Sequence, residues 1–216
     1  MQSILPAVLA HSEHTCLGSL KHPDLKNIDV FHLDVMDGTF TKERSWFDPR
    51  SLRKHSNLPK LELHLMVNEP LEHLSTFHGL PVVRAIVHHE TLKNAHTTLT
   101  HIKLRGLEAG LAFNPETAID VAQELCDVMD EVLVMGVKPG ASGQPFLGDS
   151  VMSRIKRLRS LCPNLTIGVD GGVSLENIQL LQQAGATRFV ASSAIFGNPH
   201  PHDAYLTLQE KLTANS

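Results

Sequence analysis

Eight short apolar segments, each followed by a stretch with helical features, restrict this chain to a few possible folds. The segments with strand character lie at about 4–9, 29–34, 60–66, 82–88, 106–113, 131–137, 165–170 and 188–192. We expect helices at about 12–26, 48–55, from 69 onward, and at about 92–104, 114–125, 149–161, 174–184 and 202–212. Regular alternation of strands and helices is typical of a closed parallel barrel or of an open doubly wound sheet.

The number and even spacing of the strands favour the barrel. Eight strands close a TIM barrel, and polar residues follow the strands at their C-terminal ends, where such barrels have their active sites. No Gly-x-Gly-x-x-Gly pattern follows the first strand, which disfavours a dinucleotide-binding sheet. We therefore predict an α/β protein with one (β/α)8 TIM-barrel domain over all 216 residues, 1–216.

Charge and hydropathy restrict the partners of this protein, and its cysteines indicate the compartment. The net charge of −4 gives no basic surface for nucleic acid, and no apolar run approaches the length of a membrane span. The N-terminus lacks the pattern of a signal peptide. Cys16, Cys126 and Cys162 are far apart and form no Cys-x-x-Cys pair. We predict a cytoplasmic protein with free thiols and without a nucleic-acid or membrane partner.

The second predicted strand carries the first candidate site. Residues 31–38 read Phe-His-Leu-Asp-Val-Met-Asp-Gly, a strand pattern that ends in a turn. Residues two apart on a strand share a face, so His32, Asp34 and Met36 point to the same side. A buried imidazole and carboxylate need a partner, which a metal ion would supply. A His–Asp hydrogen bond at a sheet edge is the alternative.

Two further strands extend this pattern. His64 lies on the equivalent face of the third strand, and Asp170 closes the seventh. With His32 and Asp34 they would form a shell of two imidazoles and two carboxylates at the barrel mouth. Such a shell suits a divalent transition metal (Zn²⁺, Fe²⁺, Mn²⁺ or Co²⁺) and suits Ca²⁺ poorly. Each residue alone could be a satisfied polar group, but their joint occurrence at three strand ends favours a metal site.

Glycine-rich and serine-rich turns after the last three strands predict a phosphate site. Loops after late barrel strands commonly bind phosphate through backbone N–H groups. Any one of these turns could equally be only a tight turn, but three that converge favour a phosphorylated ligand. The candidate phosphate-binding residues are Gly140, Ala141, Ser142, Gly143, Gly171, Gly172, Ser192 and Ser193.

Three methionines have the parity to point inward. The site would have apolar, polarizable walls formed by Met36, Met66 and Met135, although core filling is the default interpretation of these residues. Beside a metal, such walls would exclude water and strengthen its field. The run at 88–90, His-His-Glu, could supply more ligands, but we expect it behind the ligands or on the surface.

The chain resembles the ribulose-phosphate 3-epimerase family along nearly its whole length and in the right order. The two histidine motifs and Val-Asp-Gly-Gly are the specific parts. The resemblance rests on His32-Leu-Asp-Val-Met-Asp-Gly38, His64-Leu-Met-Val67, Gly110-Leu-Ala-Phe-Asn-Pro115, Val132-Leu-Val-Met135, Pro139-Gly140, Gly143-Gln144, Phe146, Val169-Asp-Gly-Gly172, Ala184-Gly-Ala186 and Ser193-Ala-Ile-Phe196.

This resemblance implies a metal-dependent (β/α)8 barrel that interconverts D-ribulose 5-phosphate and D-xylulose 5-phosphate. It implies that His32, Asp34, His64 and Asp170 bind the metal and that Asp34 and Asp170 are the catalytic acid/base pair. His64 would also lie against the sugar phosphate. We further expect a homo-oligomer.

Several positions depart from the family pattern. Ala7 stands where the family usually has a serine that contacts substrate, and Gly136-Val-Lys138 replaces Ser-Val-Asn or Thr-Val-Asp. The usual Gly-Phe-Gly-Gly loop reads Gly-Ala-Ser-Gly at 140–143, and Ser192-Ser193 replaces Gly-Ser. Residues 39–43 read Thr-Phe-Thr-Lys-Glu in place of His-Phe-Val-Pro-Asn.

These departures keep three hypotheses open. The first is a pentulose-phosphate 3-epimerase, and the second is an epimerase with the same chemistry on another ketose phosphate, such as a hexulose 6-phosphate. The third is a sugar-phosphate-binding barrel without catalysis, against which the complete polar set argues. The related sugar-phosphate decarboxylases use Asp-x-Lys-x-x-Asp, and residues 34–37 contain no lysine.

Overall fold

The fold is a closed barrel of eight parallel strands, each hydrogen-bonded to the next and the last to the first. The computed structural model describes residues 2–140 and 144–214. The TIM-barrel prediction is confirmed. The strands are β1 (Ser3–Val8), β2 (Val30–Met36), β3 (Lys60–Met66), β4 (Val82–His88), β5 (Glu108–Phe113), β6 (Glu131–Met135), β7 (Thr166–Asp170) and β8 (Arg188–Ala191).

Helices follow the strands and cover the outside of the barrel. Their starts follow local chemistry: the Ser12 hydroxyl accepts from the Thr15 N–H, and Asp48 caps a turn that has Pro49 in its first position. The helices are α1 (Glu13–Leu20), α2 (Pro49–Leu52), α3 (Pro70–Thr76), α4 (Ala95–Leu104), α5 (Asp149–Leu161), α6 (Ile178–Ala184), α7 (Ser193–Phe196) and α8 (Pro201–Thr213).

Strand register determines which side chains meet inside the barrel. In the pairing of β2 with β3, His32 lies opposite Glu62, and Asp34 lies opposite His64. On the far side, Met135 of β6 pairs with Asp170 of β7. Residues in register on neighbouring strands point to the same side. The alternation inferred from the sequence is therefore the alternation of the barrel interior.

Two apolar layers hold this arrangement. The larger lies between the strands and the helices, and a smaller one fills the barrel itself. The smaller layer consists of Leu5, Ala7, Ile86, Ala112, Leu133, Met135 and Val190. The barrel is therefore packed, and its polar residues are confined to its two ends.

The prediction of a helix at 114–125 is wrong for the first half of that segment. Only a 3-10 helix at Asp120–Leu125 forms there. The Arg154 guanidinium donates to the carbonyls of Asn114, Pro115 and Thr117. Because a distant side chain satisfies these backbone groups, the segment does not need helical hydrogen bonds. The predicted helix at 12–26 is also interrupted, since α1 ends at Leu20 and a 3-10 helix occupies Pro23–Leu25.

The prediction of three free thiols is also wrong. Cys126 and Cys162 form a disulfide, with their Cα atoms 5.8 Å apart, and Cys16 is free and buried. Cys126 follows the 3-10 helix before β6, and Cys162 follows α5. These segments lie on either side of β6 in the chain and pack against each other outside the barrel, which a separation of 36 positions does not reveal. No helix within 2–140 or 144–214 is long and apolar enough to cross a membrane.

Candidate metal and active site

Four side chains from three strands converge at the C-terminal end of the barrel. His32 and Asp34 come from β2, His64 from β3, and Asp170 from the last position of β7. Each offers one ligand atom, and these atoms all lie within 4.8 Å of one another. Both histidines are fully buried, whereas the two aspartates reach a cleft. The convergence predicted from strand parity is confirmed.

Of the ring nitrogens of His32 and His64, one has no hydrogen bond within the described part of the chain. His64 Nδ1 lies 3.1 Å from Asp34 Oδ1 and 3.3 Å from Asp170 Oδ2. His32 Nε2 lies 3.3 Å from Asp34 Oδ1, but it has no hydrogen-bond partner among the described residues. A buried polar atom without a partner is costly. A divalent metal surrounded by these four groups would satisfy the orphaned nitrogen, and the mixed nitrogen and oxygen donors suit a transition metal.

The electrostatics of the cluster also favour a cation. Burial opposes the charged form of His32, but its contacts with Asp34 and Glu62 outweigh burial and raise the pKa of this imidazole well above its usual value. Burial likewise opposes the charged form of Asp34, yet His32 and His64 lower the pKa of its carboxyl. Positive charge is therefore stabilised at this point, and a bound metal would supply it permanently.

A cleft that is partly open to solvent lies above the four side chains. Its walls include all three predicted methionines, Met36, Met66 and Met135, and both aspartates. The cleft is also lined by five of the predicted phosphate-binding residues, namely Gly140, Gly171, Gly172, Ser192 and Ser193. Ala141, Ser142 and Gly143 lie outside the described residues. The turns after β6, β7 and β8 therefore meet at one cleft.

Glycine is required where two of these turns touch. Gly171 has φ +95°, in the left-handed region, and a Cβ there would collide with Val137. A Cβ on Gly136 would collide with the Gly171 carbonyl. The β6 and β7 loops can thus approach closely beside Asp170.

Sequence reasoning missed the side chains that support the metal ligands from the N-terminal side of the barrel interior. Glu62 lies 2.6 Å from His32 Nδ1, and Arg84 and Arg188 both contact its other oxygen. Glu131, on the opposite side of the barrel, lies 2.5 Å from Arg188. The one available signal was that Glu62 shares a face with His64. Nothing local identified its partners.

The second histidine ligand has a different support. His88, at the end of β4, places its Nε2 2.9 Å from His64 Nε2, and its Nδ1 lies 3.4 Å from Glu90. Burial, opposed by Glu90, lowers the pKa of His88 to about 4, so this imidazole is neutral at neutral pH. The expectation that residues 88–90 lie behind the ligands fits His88. His89 instead packs against Phe113.

The arrangement can bind a cation and move a proton. Asp34 and Asp170 reach the cleft from β2 and β7, which are not neighbours in the barrel. Two carboxylates approaching one cleft from different strands can serve two faces of a bound molecule.

Comparison with known proteins agrees with this geometry. The profile of the Ribulose-phosphate 3 epimerase family matches residues 1–196. A ribulose-phosphate 3-epimerase of Bacillus subtilis is 34% identical over 206 residues, which cover 91% of this chain and 93% of that protein. A chloroplastic ribulose-5-phosphate-3-epimerase of Arabidopsis thaliana is also 34% identical, over 90% of this chain and 71% of that protein.

Solved structures share the barrel at much lower identity. KGPDC from Streptococcus mutans has a TM-score of 0.69 at 12% identity, covering 99% of this chain and 98% of that one. A tryptophan synthase alpha-subunit variant from Pyrococcus furiosus also has a TM-score of 0.69, at 16% identity, over 99% of this chain and 100% of its own. At such identities the likeness shows the fold alone. On its sequence, the chain belongs to the ribulose-phosphate 3-epimerase family.

Proposed function

We propose that this protein is a metal-dependent isomerase that inverts C3 of a ketose phosphate, interconverting D-ribulose 5-phosphate and D-xylulose 5-phosphate. The observation that carries the proposal is the convergence of His32, Asp34, His64 and Asp170 beneath one cleft. Membership of the family and the names of the relatives support the reaction and the substrate.

Inversion at C3 needs one group on each face of the carbon. The C3 proton is acidified by the neighbouring ketone, and its loss leaves the electron pair in an enediolate. One carboxylate accepts that proton as a base, and the other donates a proton to the opposite face as an acid. Asp34 and Asp170 are the two carboxylates in the cleft. Because each direction of the reaction exchanges their roles, both are needed as a coupled pair.

His32, Asp34, His64 and Asp170 would hold the metal. A divalent ion there would act as a Lewis acid that stabilises the negative charge of the enediolate. The two aspartates would each use one oxygen for the ion and keep the other for the proton. Met36, Met66 and Met135 contribute apolar walls that exclude water from this step.

The phosphate of the substrate would bind at the turns after β6, β7 and β8. Gly140, Gly171 and Gly172 leave backbone groups accessible at the cleft, and Ser192 and Ser193 add hydroxyls. Backbone N–H groups in such turns suit phosphate oxygens. This end of the cleft fixes the sugar so that C3 lies between the two carboxylates.

Solvent-deuterium exchange at C3 tests the proposal. The metal-loaded protein should introduce deuterium into D-ribulose 5-phosphate and form the xylulose epimer. Asp34→Asn and Asp170→Asn should each slow this by about 10²- to 10⁴-fold, since each lacks one of the two proton carriers. Sugar-phosphate binding should largely survive.

Asp37→Asn is the matched control. Asp37 lies three residues from Asp34, but its carboxylate accepts from Thr39 and contacts His73 in the loop. Turnover in this variant should stay within several-fold of the wild type. Retained turnover in both Asp34→Asn and Asp170→Asn would defeat the mechanism.

A second substrate is favoured by one observation. Ala7 lines the cleft at the position where the family usually has a serine that contacts the sugar. The same exchange assay should therefore include a hexulose 6-phosphate. Faster exchange with the longer sugar would retain the chemistry and change the substrate. Binding of both sugars without exchange would leave only a sugar-phosphate-binding barrel.

Three broader expectations stay predictions: one domain over residues 1–216, a cytoplasmic location and a homo-oligomer. Light scattering on the purified protein measures the assembly. A single cooperative unfolding transition would be expected of one domain.

A further inference from the structure

We propose that Glu62 is a positioning residue that holds His32 in the tautomer whose Nε2 lone pair faces the metal site. The proposal rests on the proposed function in one respect, namely that the four-residue cluster binds a divalent metal. It adds a residue that contacts neither metal nor substrate. Glu62 would act only through His32.

Glu62 and His32 contact each other inside the barrel. Glu62 lies directly opposite His32 in the register of β2 and β3, and both side chains are fully buried. Its Oε1 lies 2.6 Å from His32 Nδ1. A carboxylate can only accept a hydrogen bond, so His32 Nδ1 must carry the proton. A histidine that binds a metal does so as the neutral imidazole with one N–H, so hydrogen on Nδ1 leaves the lone pair on Nε2.

His32 Nε2, which carries that lone pair, lies beside the other metal ligands. His32 Nε2 lies 3.3 Å from Asp34 Oδ1, and it has no hydrogen-bond partner among the described residues. The nitrogen freed by Glu62 is therefore the one that faces the cluster. Histidine ligands of metals usually donate their other N–H to such an acceptor, which fixes the ring and raises its basicity.

Two arginines hold Glu62 in place. Its other oxygen, Oε2, contacts Arg84 directly and lies 3.3 Å from Arg188. Arg188 also lies 2.5 Å from Glu131, and Arg84 Nε lies 3.3 Å from the same carboxylate. Two guanidiniums thus hold Glu62 in place and compensate its buried charge. The remaining oxygen is free to orient His32.

His64 provides an internal contrast. Its second nitrogen faces another imidazole, that of His88, at 2.9 Å, whereas that of His32 faces a carboxylate held by two arginines. A charged acceptor makes the stronger hydrogen bond. Glu62 should therefore affect the affinity for the metal through His32 and not through His64.

The test is metal affinity measured on metal-free protein. Zn²⁺ and Co²⁺ are titrated against a competing chelator, and no substrate is present. Glu62→Gln should weaken binding by about 10- to 100-fold, the usual cost of changing such a supporting residue. With saturating Co²⁺, its visible absorption bands should also shift, because the ligand field of His32 changes. Wild-type affinity together with an unchanged spectrum would overturn the proposal.

Glu108→Gln is the matched control. Glu108 also contacts Arg84, but its side chain is 54% exposed, and within the described part of the chain the partner of His32 Nδ1 is Glu62. Its replacement removes a carboxylate from the same guanidinium without changing the support of the imidazole. Metal affinity should stay within about threefold of the wild type, well below the effect of a supporting residue. An equal loss in both variants would reduce Glu62 to a general structural role and overturn the proposal.

A second measurement needs no change to Glu62. Nitrogen NMR of the Zn²⁺-loaded wild type, with the His32 signals assigned from their absence in His32→Asn, reports which ring nitrogen carries hydrogen. Hydrogen on Nδ1 is expected, and hydrogen on Nε2 would refute the proposal even if Glu62→Gln fails to fold. Absent deuterium exchange in the wild type would instead defeat the proposed function and leave the tautomer result intact.

Discussion

The two ends of the barrel interior both bury charged groups, but they do so differently. At the N-terminal end, which we call the floor, Glu62 and Glu131 face the guanidiniums of Arg84 and Arg188. At the C-terminal end, the mouth, two carboxylates face two imidazoles, and His32 Nε2 has no hydrogen-bond partner among the described residues. The floor contains its own cations, and the mouth depends on protonated histidines or on an added ion.

This difference separates a structural cluster from a functional one. Buried ion pairs with both partners present keep a core in one arrangement, and removing one partner is costly. A buried cluster that lacks positive charge is costly as it stands and binds a cation favourably. Changes at the mouth should therefore alter mainly activity, and changes at the floor should alter mainly stability, except at Glu62, which also contacts the metal ligand His32.

Removal of the metal should give the largest effect. Stripping the protein with a chelator should lower turnover by about 10³-fold or more, since several kcal/mol of charge stabilisation are lost. Zn²⁺, Fe²⁺, Mn²⁺ or Co²⁺ should restore it. Far-UV circular dichroism should show that the stripped protein keeps its barrel, because its two apolar layers contain no metal ligand. Full turnover in protein shown by mass spectrometry to be metal-free would break the comparison.

Arg84→Met should be the largest effect at the floor. The change leaves Glu62 and Glu131 short of a buried cation, so the free energy of unfolding should fall by about 3–5 kcal/mol. Urea denaturation of the metal-free protein measures it. Arg157→Met is the control, because Arg157 pairs with Asp120 on the surface and should contribute no more than about 1 kcal/mol. Equal losses in the two variants would show that the floor is not a stabilising cluster.

Asp170→Asn should give the smallest effect on stability. It is nearly isosteric, and its side chain is 14% exposed at the cleft. In metal-free protein we expect a change in unfolding free energy of about 1 kcal/mol or less, although turnover is lost. The same urea experiment measures it. A loss as large as that of Arg84→Met would mean that the mouth also holds the fold together.

Local sequence patterns were sufficient for three of the four side chains at the mouth. His32 and Asp34 alternate on one strand, and His64 lies opposite Asp34 on the next, so period and strand order place them together. Asp170 required the further inference that eight strands close into a barrel. Once closure was assumed, the polar strand ends had to meet.

The floor and the disulfide could not be found in this way. Arg188 lies 126 positions from Glu62, and Arg84 lies 22 positions from it, so barrel closure and strand register bring them together. Cys126 and Cys162 meet because the 3-10 helix before β6 packs against α5, which follows that strand. The half-formed helix at 114–125 depends on Arg154, a side chain from α5. In each case the deciding partner is distant in sequence, and no local pattern records it.

The most direct test of the central claim is anomalous diffraction from crystals grown with Co²⁺ or Zn²⁺. The account predicts one strong peak at the barrel mouth, within about 2.0–2.3 Å of ligand atoms from His32, Asp34, His64 and Asp170. A mouth without a peak at saturating metal, or a peak bound by other residues, would contradict it.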